Sequence, residues 1–426
     1  MDLGLAVIVC FFVLFLIGMP VVFAILIPSV IYIWWEAIPL ATVGQRVLYA
    51  LDSFPLVAVP VFILVGNLMN AAGITEKLFR FADVLVGRLY GGLAQVNIVA
   101  SLIFSGVSGA ALADVGGLGR IEIKAMKDRG FDLPFAAAVT GASAIVGPIF
   151  PPSIPLIIYA SVTSISALQL LVAGTMPAII CVVMLMLATA LMAMRTDMPR
   201  ADRWPTFREL WTAFWPAAPA LLAPAVLVGG MMSGSFTPTE ASAVCVVYVL
   251  AVGIFYYRDM NWGFIRQAAV NTVRGTAAIL VIVAAAAMFG WILAVEQIPQ
   301  AFSSWTAGIS DSPLLMLLVV NLIFFIAGMF IDSTTATLLL VPIIAPPLVA
   351  AGIDPIHLGI IVIFNLMIGT ITPPFGLCLF LLSNMTGVPM MRLLGAMAPF
   401  YPPLLITLVL LMLAPGLVLW IPSMLR

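Results

Sequence analysis

The stretch GPIFPP, residues 147–152, reappears as GTITPP, residues 369–374, and both copies lie inside long segments without a charged residue. A proline inside a helix removes a backbone N–H donor and clashes with the preceding turn, so paired prolines beside a glycine break the helix. Carbonyls that lose their helical partners can bind a cation, and the N-terminus of a half-helix can face an anion. One isolated proline would indicate only a kink. The repeated pair predicts a binding site.

Hydroxyl groups lie in two further interruptions of apolar sequence. SGVSGAALAD, residues 105–114, offers Ser105 and Ser108, and DSTTAT, residues 332–337, begins with Asp332. The second stretch also offers the hydroxyls of Ser333, Thr334, Thr335 and Thr337. Oxygen-rich turns with little fixed charge suit sodium. The alternative is that these hydroxyls bond to the preceding helical turn or join neighbouring helices.

Three carboxylates are expected inside the membrane domain: Asp114, Asp332 and Glu240. Ionisable groups in lipid are costly and therefore indicate function. Glu240, in FTPTEAS, has the alternative role of capping the helix that follows Pro238. No Lys or Arg lies near either broken helix. An anionic substrate would therefore be held by helix N-termini, hydroxyls and co-bound sodium.

Composition sets the fold class. The chain has 426 residues, of which 64% are hydrophobic and 8% charged, and its mean hydropathy is +1.23. These values, with many charge-free runs of about 20 residues or more, predict an all-α polytopic membrane protein. The four cysteines (Cys10, Cys181, Cys245 and Cys378) and His357 show no ligand spacing and are interpreted as structural residues. An intramembrane enzyme is therefore disfavoured, and ATP-driven transport lacks its GxxxxGK[ST] phosphate loop.

The chain repeats itself at an offset of 222 residues. The offset aligns Gly106 with Gly328, Gly130 with Gly352, Asp132 with Asp354, Gly147 with Gly369, Pro151 and Pro152 with Pro373 and Pro374, and Ser161 with Ser383. These are mostly positions where the backbone is special, so we predict two structural repeats. The first, 1–194, has scaffold helices at about 1–72, a hairpin at about 91–127 and a broken helix at about 134–163. After a connector at 195–215, the second, 216–426, has scaffold helices at about 216–294, a hairpin at about 313–350 and a broken helix at about 355–385. Single helices are predicted over about 41–72 and 395–421.

Charge predicts the orientation. If each hairpin is re-entrant, each repeat crosses the membrane five times, and the second repeat is inverted relative to the first. This topology places all of the 17 Lys and Arg residues except Arg46 and Arg426 on one face. The positive-inside rule makes that face cytoplasmic. Both termini are then expected on the periplasmic side.

Four motifs carry a resemblance to a known family. SGVSGAALADVGGLG, GPIFPPSIPLIIYA, FTPTEASAV and GTITPPFG resemble the large membrane subunit, often called DctM-like, of tripartite ATP-independent periplasmic (TRAP) transporters. The resemblance covers nearly the whole chain. It implies a bacterial inner-membrane importer of small organic anions, such as C4-dicarboxylates or sialic acids, that is driven by sodium. The implied mechanism is an elevator movement of a transport domain past a scaffold.

The resemblance also implies partners and site residues. The partners are a small four-helix membrane subunit, expected as a separate chain, and a periplasmic substrate-binding protein. Neither a cofactor other than sodium ions nor nucleic acid is expected. The implied sodium ligands, mostly backbone carbonyls, are Ser105, Ser108, Gly109, Gly147 and Pro151 in the first repeat, and Asp332, Ser333, Thr335, Gly369, Thr372 and Pro373 in the second. The substrate is expected between the two sodium sites, against Ser108, Gly109, Ser153, Thr334, Thr335, Phe375 and Gly376.

Other functions stay open at this point. A carboxylate or oxyanion carrier with related inverted repeats would work alone, without a binding protein. A structural subunit of a larger complex would leave the repeated broken helices unexplained. The sequence does not distinguish among organic anions.

Overall fold

Helices form all of the regular structure described. The computed structural model describes residues 3–71, 73–196, 198–201, 203–309 and 312–424, and no strand occurs among them. Within this part, seven helices are long and apolar enough to cross a membrane, or eight if a pair of helices bent by 55° near residue 52 counts as one span. The predicted all-α polytopic membrane fold is confirmed. Arg426, one of the two positive residues expected outside, is not among the described residues.

The first half begins with short apolar helices that prolines delimit. Pro20 and Pro39 precede α2 and α3 in extended conformation, where their missing N–H costs no helical hydrogen bond. The helices of this half are α1 (Leu3–Leu16), α2 (Val21–Trp35), α3 (Leu40–Leu51), α4 (Phe54–Ala71), α5 (Ile74–Val86), α6 (Leu93–Ser108), α7 (Ala111–Gly116), α8 (Leu118–Asp128), α9 (Leu133–Ala144), α10 (Ile154–Thr163), α11 (Ala167–Ala173) and α12 (Thr175–Ala193). The single helix predicted over 41–72 is two helices, because the chain bends at Asp52 and Ser53 ahead of Pro55.

The second half follows the same order with longer scaffold helices. Its helices are α13 (Phe207–Met232), α14 (Pro238–Ala251), α15 (Trp262–Val295), α16 (Ile298–Ile309), α17 (Pro313–Phe330), α18 (Ser333–Ala350), α19 (Pro355–Thr370), α20 (Leu377–Thr386), α21 (Met390–Met397), α22 (Tyr401–Leu413) and α23 (Pro415–Ser423), with a π-helical turn at Val252–Tyr257 and a 3₁₀ turn at Ala398–Phe400. The single helix predicted over 395–421 is interrupted at the 3₁₀ turn and again at Ala414. Prolines follow both interruptions closely and cannot donate to the preceding turn.

Helices from the two halves pack against each other in the segments predicted as scaffold. The long helix α15 packs against α2, α3 and α4, and α4 also packs against α14. In the segment predicted as the first hairpin, α6 contacts α7 and α8. In the segment predicted as the second, α17 contacts α18 across a link of two residues.

Each half packs its broken helix against the other half. In one direction α10 contacts α18 and α19, and α11 contacts α19; in the other, α20 contacts α7 and α9, and α21 contacts α9. Two glycines allow the close approach, because a Cβ on Gly359 would lie 2.7 Å from the Tyr159 ring and one on Gly141 would lie 2.8 Å from Leu382. The packing between the two halves is therefore reciprocal.

The basic segments of the chain meet in space. Lys77 pairs with Asp259, Arg129 with Asp83, and Arg203 with Glu209. The connector runs past the start of the first hairpin, where the Ala201 N–H donates to the Gly87 carbonyl at 3.2 Å. The clustering accords with the asymmetry of charge seen in the sequence.

Gly369 offers a test of how tightly the second hairpin packs. A Cβ at Gly369 would lie 2.5 Å from the backbone carbonyl carbon of Gly328, and backbone cannot move aside as a side chain can. We expect Gly369→Ala to lower the free energy of unfolding by about 1–3 kcal/mol, measured by thermal unfolding in detergent. The matched control is Gly395→Ala, a helical glycine with nothing within 4 Å of the position that a Cβ would take. An equal effect of both substitutions would contradict the close packing.

Candidate functional site

The first hairpin turns against the first helix break. Gly109 caps α6 in the left-handed region, with φ of 61°, and its carbonyl accepts a hydrogen bond from the Ile154 N–H at 3.2 Å. A Cβ on Gly109 would lie 2.6 Å from the Pro152 carbonyl oxygen. A side chain at this position would therefore push the turn off the break. The structure brings together the predicted ligands Gly109, Gly147 and Pro151, since Gly147 also faces the backbone of Ala110.

The second hairpin makes an equivalent contact. The Gly376 N–H donates to the Met329 carbonyl at 3.1 Å, and the backbones of Gly328 and Gly369 touch. The 222-residue offset pairs Gly376 with Ile154. In both halves, therefore, the N–H at this position donates to a carbonyl of the hairpin. Both contacts are made by backbone groups and do not depend on the side chain.

The two breaks have matching backbones. The peptide bonds Pro151–Pro152 and Pro373–Pro374 are both cis. In a continuous helix, the carbonyls of Gly147 and Pro151 would accept from the N–H groups four residues later. Those positions are Pro151 and Pro155, which have no N–H, so both carbonyls lack a helical donor. In the second break, the Gly369 carbonyl accepts from the Thr372 N–H at 2.9 Å. A carbonyl oxygen has two lone pairs, so Gly369 keeps one for a further partner.

The hydroxyls of the first site differ in availability. Ser105 donates to the Leu102 carbonyl at 2.6 Å, which is the local bond that mid-helix serines often make. Ser153 caps α10, accepting from the Leu156 N–H and donating to the Pro148 carbonyl. Ser108 is buried, and its hydroxyl has no partner among the described residues. Of the three, Ser108 is the hydroxyl with free capacity for a ligand.

The hydroxyls of the second site are mostly engaged within their own turns. The Asp332 carboxylate caps α18, accepting from the N–H groups of Thr334 at 2.9 Å and Thr335 at 3.1 Å and from the Thr335 hydroxyl. Thr337 and Thr372 donate to carbonyls one turn back, those of Ser333 and Ile368. These bonds fix the shape of the hairpin tip. The half-buried Ser333 and Thr334 make no side-chain hydrogen bond among the described residues, so their hydroxyls and the backbone carbonyls are the available cation ligands.

The predicted substrate residues of the second half differ in exposure, and Thr335 is fully buried. Phe375 is 57% exposed and its ring lies 5.7 Å from that of Phe330, while Thr334 is half-buried and Gly376 is buried. The first break, by contrast, is buried through Pro151 and Ser153. The two halves are therefore equivalent in backbone and unequal in exposure.

Two buried carboxylates lie in the second arm of the first hairpin. Asp114 is 2% exposed and Glu122 is fully buried, and neither carboxylate has a hydrogen-bond partner among the described residues. Asp114 was expected inside the domain, whereas Glu122 was missed. Its signal is the spacing of buried positions on α8, since Leu118, Glu122 and Met126 recur every four residues and all are buried. Glu240 takes the capping role, in a capping box with Thr237.

A buried polar network supports these helices from the other side. Asn97 of α6 donates to the Thr140 hydroxyl at 2.7 Å and accepts from Ser143 at 2.7 Å, and Ser101 donates to Ser143 at 3.0 Å. A Cβ on Gly119 would lie 2.7 Å from the Thr140 methyl group, so α8 is pressed against this network. The network could not be identified from sequence, because its members are spaced along two helices that only the fold brings together.

A cavity of about 460 Å³ separates the scaffold from the site helices. Its lining comes from the α3–α4 bend, from α15, from the end of α10 and from the middle of α18, and it includes Asp52, Ser53, Ser161 and Ser164. None of the predicted substrate residues is among the described residues that line it. The cavity marks a gap between the helices predicted to stay fixed and those predicted to move.

The remaining polar candidate is structural. His357 is buried, and its Nε2 lies 2.8 Å from the Leu411 carbonyl, which joins α19 to α22. The four cysteines are unpaired; Cys181, Cys245 and Cys378 are buried and Cys10 is half-buried. These positions agree with their interpretation as packing residues.

Comparison with known proteins places these features in a family. The sequence pattern of the family described as "Tripartite ATP-independent periplasmic transporter, DctM component" matches residues 8–417. The chain is 42% identical over 411 residues to the sialic acid TRAP transporter large permease protein SiaM of Vibrio cholerae, covering 96% of this chain and 95% of that protein. It is 36% identical over 372 residues to the C4-dicarboxylate TRAP transporter large permease protein DctM of Pseudomonas aeruginosa, covering 87% of each.

A solved structure shares the fold at low sequence identity. The YdaH transporter of Alcanivorax borkumensis aligns with a TM-score of 0.61 at 17% identity, covering 88% of each chain. The likeness supports the helical architecture described above.

The buried glutamate gives a prediction about stability. We expect Glu122→Gln to raise the melting temperature in detergent, because a buried carboxylate without a donor costs more than a neutral amide of the same shape. The matched control, Glu76→Gln, changes an exposed glutamate on α5 and should alter the free energy of unfolding by less than about 0.5 kcal/mol. A lower melting temperature for Glu122→Gln alone would contradict this and would mean that the buried acid stabilises the fold.

Proposed function

Because the chain belongs to the DctM-component family of TRAP transporters, we propose that it is the large permease subunit of a sodium-driven importer of a small organic carboxylate. Its function is transport across a membrane. The relatives named above are permeases for sialic acid and for C4-dicarboxylates, so the substrate we propose belongs to that class.

The observation that carries the proposal is the repeated contact between a hairpin turn and a helix break. In each half a backbone N–H of the break donates to a hairpin carbonyl, from Ile154 to Gly109 and from Gly376 to Met329. Each contact concentrates carbonyl oxygens that helices would otherwise use internally, and such oxygens suit a hard cation of low charge. With Ser108 as a free buried hydroxyl, these groups support one sodium site in each half.

The substrate site is proposed between the two sodium sites. Lys and Arg are absent from both breaks and both hairpin turns, so the carboxylate would be held by helix N-termini and hydroxyls and by the charge of bound sodium. Sodium and substrate would then each raise the affinity of the other. The exposed Phe375 and the half-buried Thr334 are the site residues that a substrate could reach from solvent.

We further propose an elevator movement with inverted repeats. The reciprocal packing of α10 on the second half and α20 on the first half supports a two-fold relation, and the cavity along α15 supports a sliding boundary. The clustering of basic residues supports a cytoplasmic location for the face that carries them. We therefore propose that the protein lies in the inner membrane with both termini in the periplasm. By family membership, the proposed partners are a small membrane subunit and a periplasmic substrate-binding protein.

Reconstituted transport tests the proposal. Liposomes carrying the chain and its small subunit would be given labelled sialic acid or C4-dicarboxylate, with and without the binding protein and an inward sodium gradient. Uptake only with all components and sodium is the expected result. Uptake that persists unchanged in sodium-free buffer at clamped potential would overturn sodium coupling. Uptake by this chain alone would favour a carrier that needs no binding protein.

Ser108 and Ser105 allow the first sodium site to be tested by a matched pair. We expect Ser108→Ala to raise the sodium concentration for half-maximal uptake roughly 3–10-fold, because its hydroxyl has no partner among the described residues. Ser105→Ala should have a smaller effect, since that hydroxyl is bonded to its own helix. Sodium titrations of uptake by both variants are the measurement. A larger effect at Ser105 would contradict this assignment of the ligand.

A further inference from the structure

A basic cavity lies away from the transport site, at the base of the first hairpin. It has a volume of about 540 Å³ and is formed by α5, the end of α8, the connector and the start of α13. Its described lining contains four arginines and two carboxylates: Arg80, Arg88, Arg129, Arg203, Asp83 and Glu209. The cavity therefore has an excess of positive charge that the described lining residues do not neutralise.

The two carboxylates are already engaged. Arg129 contacts Asp83 at 2.8 Å, and Arg203 contacts Glu209 at 2.5 Å, each through two hydrogen bonds between the guanidinium and the carboxylate. Bidentate pairs of this kind hold their arginines in place. Arg80 and Arg88 are left without a carboxylate partner among the described residues.

Arg88 has an unused donor inside the protein. Its Nη1 donates to the Ala201 carbonyl at 2.9 Å, but its Nε is buried and has no acceptor among the described residues. A buried donor of a charged group without an acceptor is costly. Arg80 is exposed at the same cavity and makes no hydrogen bond among the described residues. Together they offer a guanidinium fixed in position and a second one free to close on a ligand.

The surrounding aromatic residues place the cavity at the level of lipid headgroups. Trp204 is 62% exposed, Phe207 79% and Trp211 50%, and they lie beside the cavity on the connector and the first turns of α13. Exposed Trp side chains are enriched where a membrane meets water. The cavity thus opens where the phosphate of a lipid would lie.

We propose that this cavity binds a phosphate group, supplied by an anionic phospholipid of the adjacent leaflet. Arginine matches phosphate geometry through paired N–H donors, and its charge persists at any physiological pH. Bound there, the phosphate accepts from Arg88 and Arg80 while the acyl chains lie along α13. Because Arg129 ends the first hairpin and Arg88 contacts the connector, the lipid ties the base of the hairpin to its surroundings. The proposal does not depend on which anion the chain transports.

Lipid binding to the purified full chain tests the proposal. Native mass spectrometry would count phosphatidylglycerol retained by wild type and by the double variant Arg80→Gln/Arg88→Gln, with phosphatidylcholine as the zwitterionic probe. We expect preferential retention of phosphatidylglycerol by wild type and roughly tenfold weaker binding by the double variant. The matched control, Arg266→Gln/Arg274→Gln, removes the same charge from exposed positions on α15 and should bind like wild type.

A single variant and a phosphate titration separate loss of the site from loss of folding and from binding of soluble phosphate. Arg80→Gln alone removes an exposed side chain that makes no hydrogen bond among the described residues, so it should fold normally and still lose part of the binding. Equal retention of phosphatidylglycerol by both double variants, or no preference for the anionic lipid together with no stabilisation by inorganic phosphate, would overturn the site. Inorganic phosphate that raises the melting temperature of wild type but not of the double variant, without any lipid preference, would overturn the lipid as the source and leave a site for soluble phosphate.

Discussion

An unpaired backbone N–H or C=O in hydrocarbon costs several kcal/mol, and this requirement governs the arrangement of the chain. Each half contains a helix that prolines interrupt in the middle of an apolar segment. The interrupted backbone is kept from lipid by a hairpin turn that lies directly against it and accepts one of its N–H groups. Once the hairpins must lie there, the scaffold helices have to surround them. The chemistry of the site and the packing of the fold thus share one cause.

The same backbone design produces unequal sites in the two halves. The first break is buried, and the hairpin turn against it carries the Ser108 hydroxyl, which has no partner among the described residues. The second break has an exposed phenylalanine, and at its hairpin tip the Thr335 hydroxyl is engaged by Asp332. A cation bound at the first break would give the unpaired hydroxyl and carbonyl oxygens a partner. A cation in the second would depend more on carbonyls and on what binds beside it. Equivalent backbones therefore do not imply equal affinities.

Local signals in the sequence predicted the breaks and turns, whereas contacts between distant segments could not be predicted from it. Glycine and proline act on the residues next to them, so the interruptions could be predicted from Gly106, Pro152 and their repeats Gly328 and Pro374. The role of Glu240 was open until its capping box with Thr237 was seen. Glu122 was missed, because it lies in a basic segment and only its four-residue spacing from Leu118 and Met126 indicated a buried position. The single helices predicted over 41–72 and 395–421 were wrong because the prediction followed the length of the hydrophobic run and neglected the prolines within it.

The reciprocal packing of the two halves has a consequence for biosynthesis. The helix α10 leaves the ribosome well before its partners α18 and α19 are made, and α9 likewise precedes α20 and α21. Until synthesis is nearly finished, the broken helix of the first half has no permanent neighbour on one side, and its tightly packed face meets lipid or the insertion machinery. Neither half could complete its own interior if expressed as a separate fragment. When the two fragments are expressed together, each should complete the interior of the other.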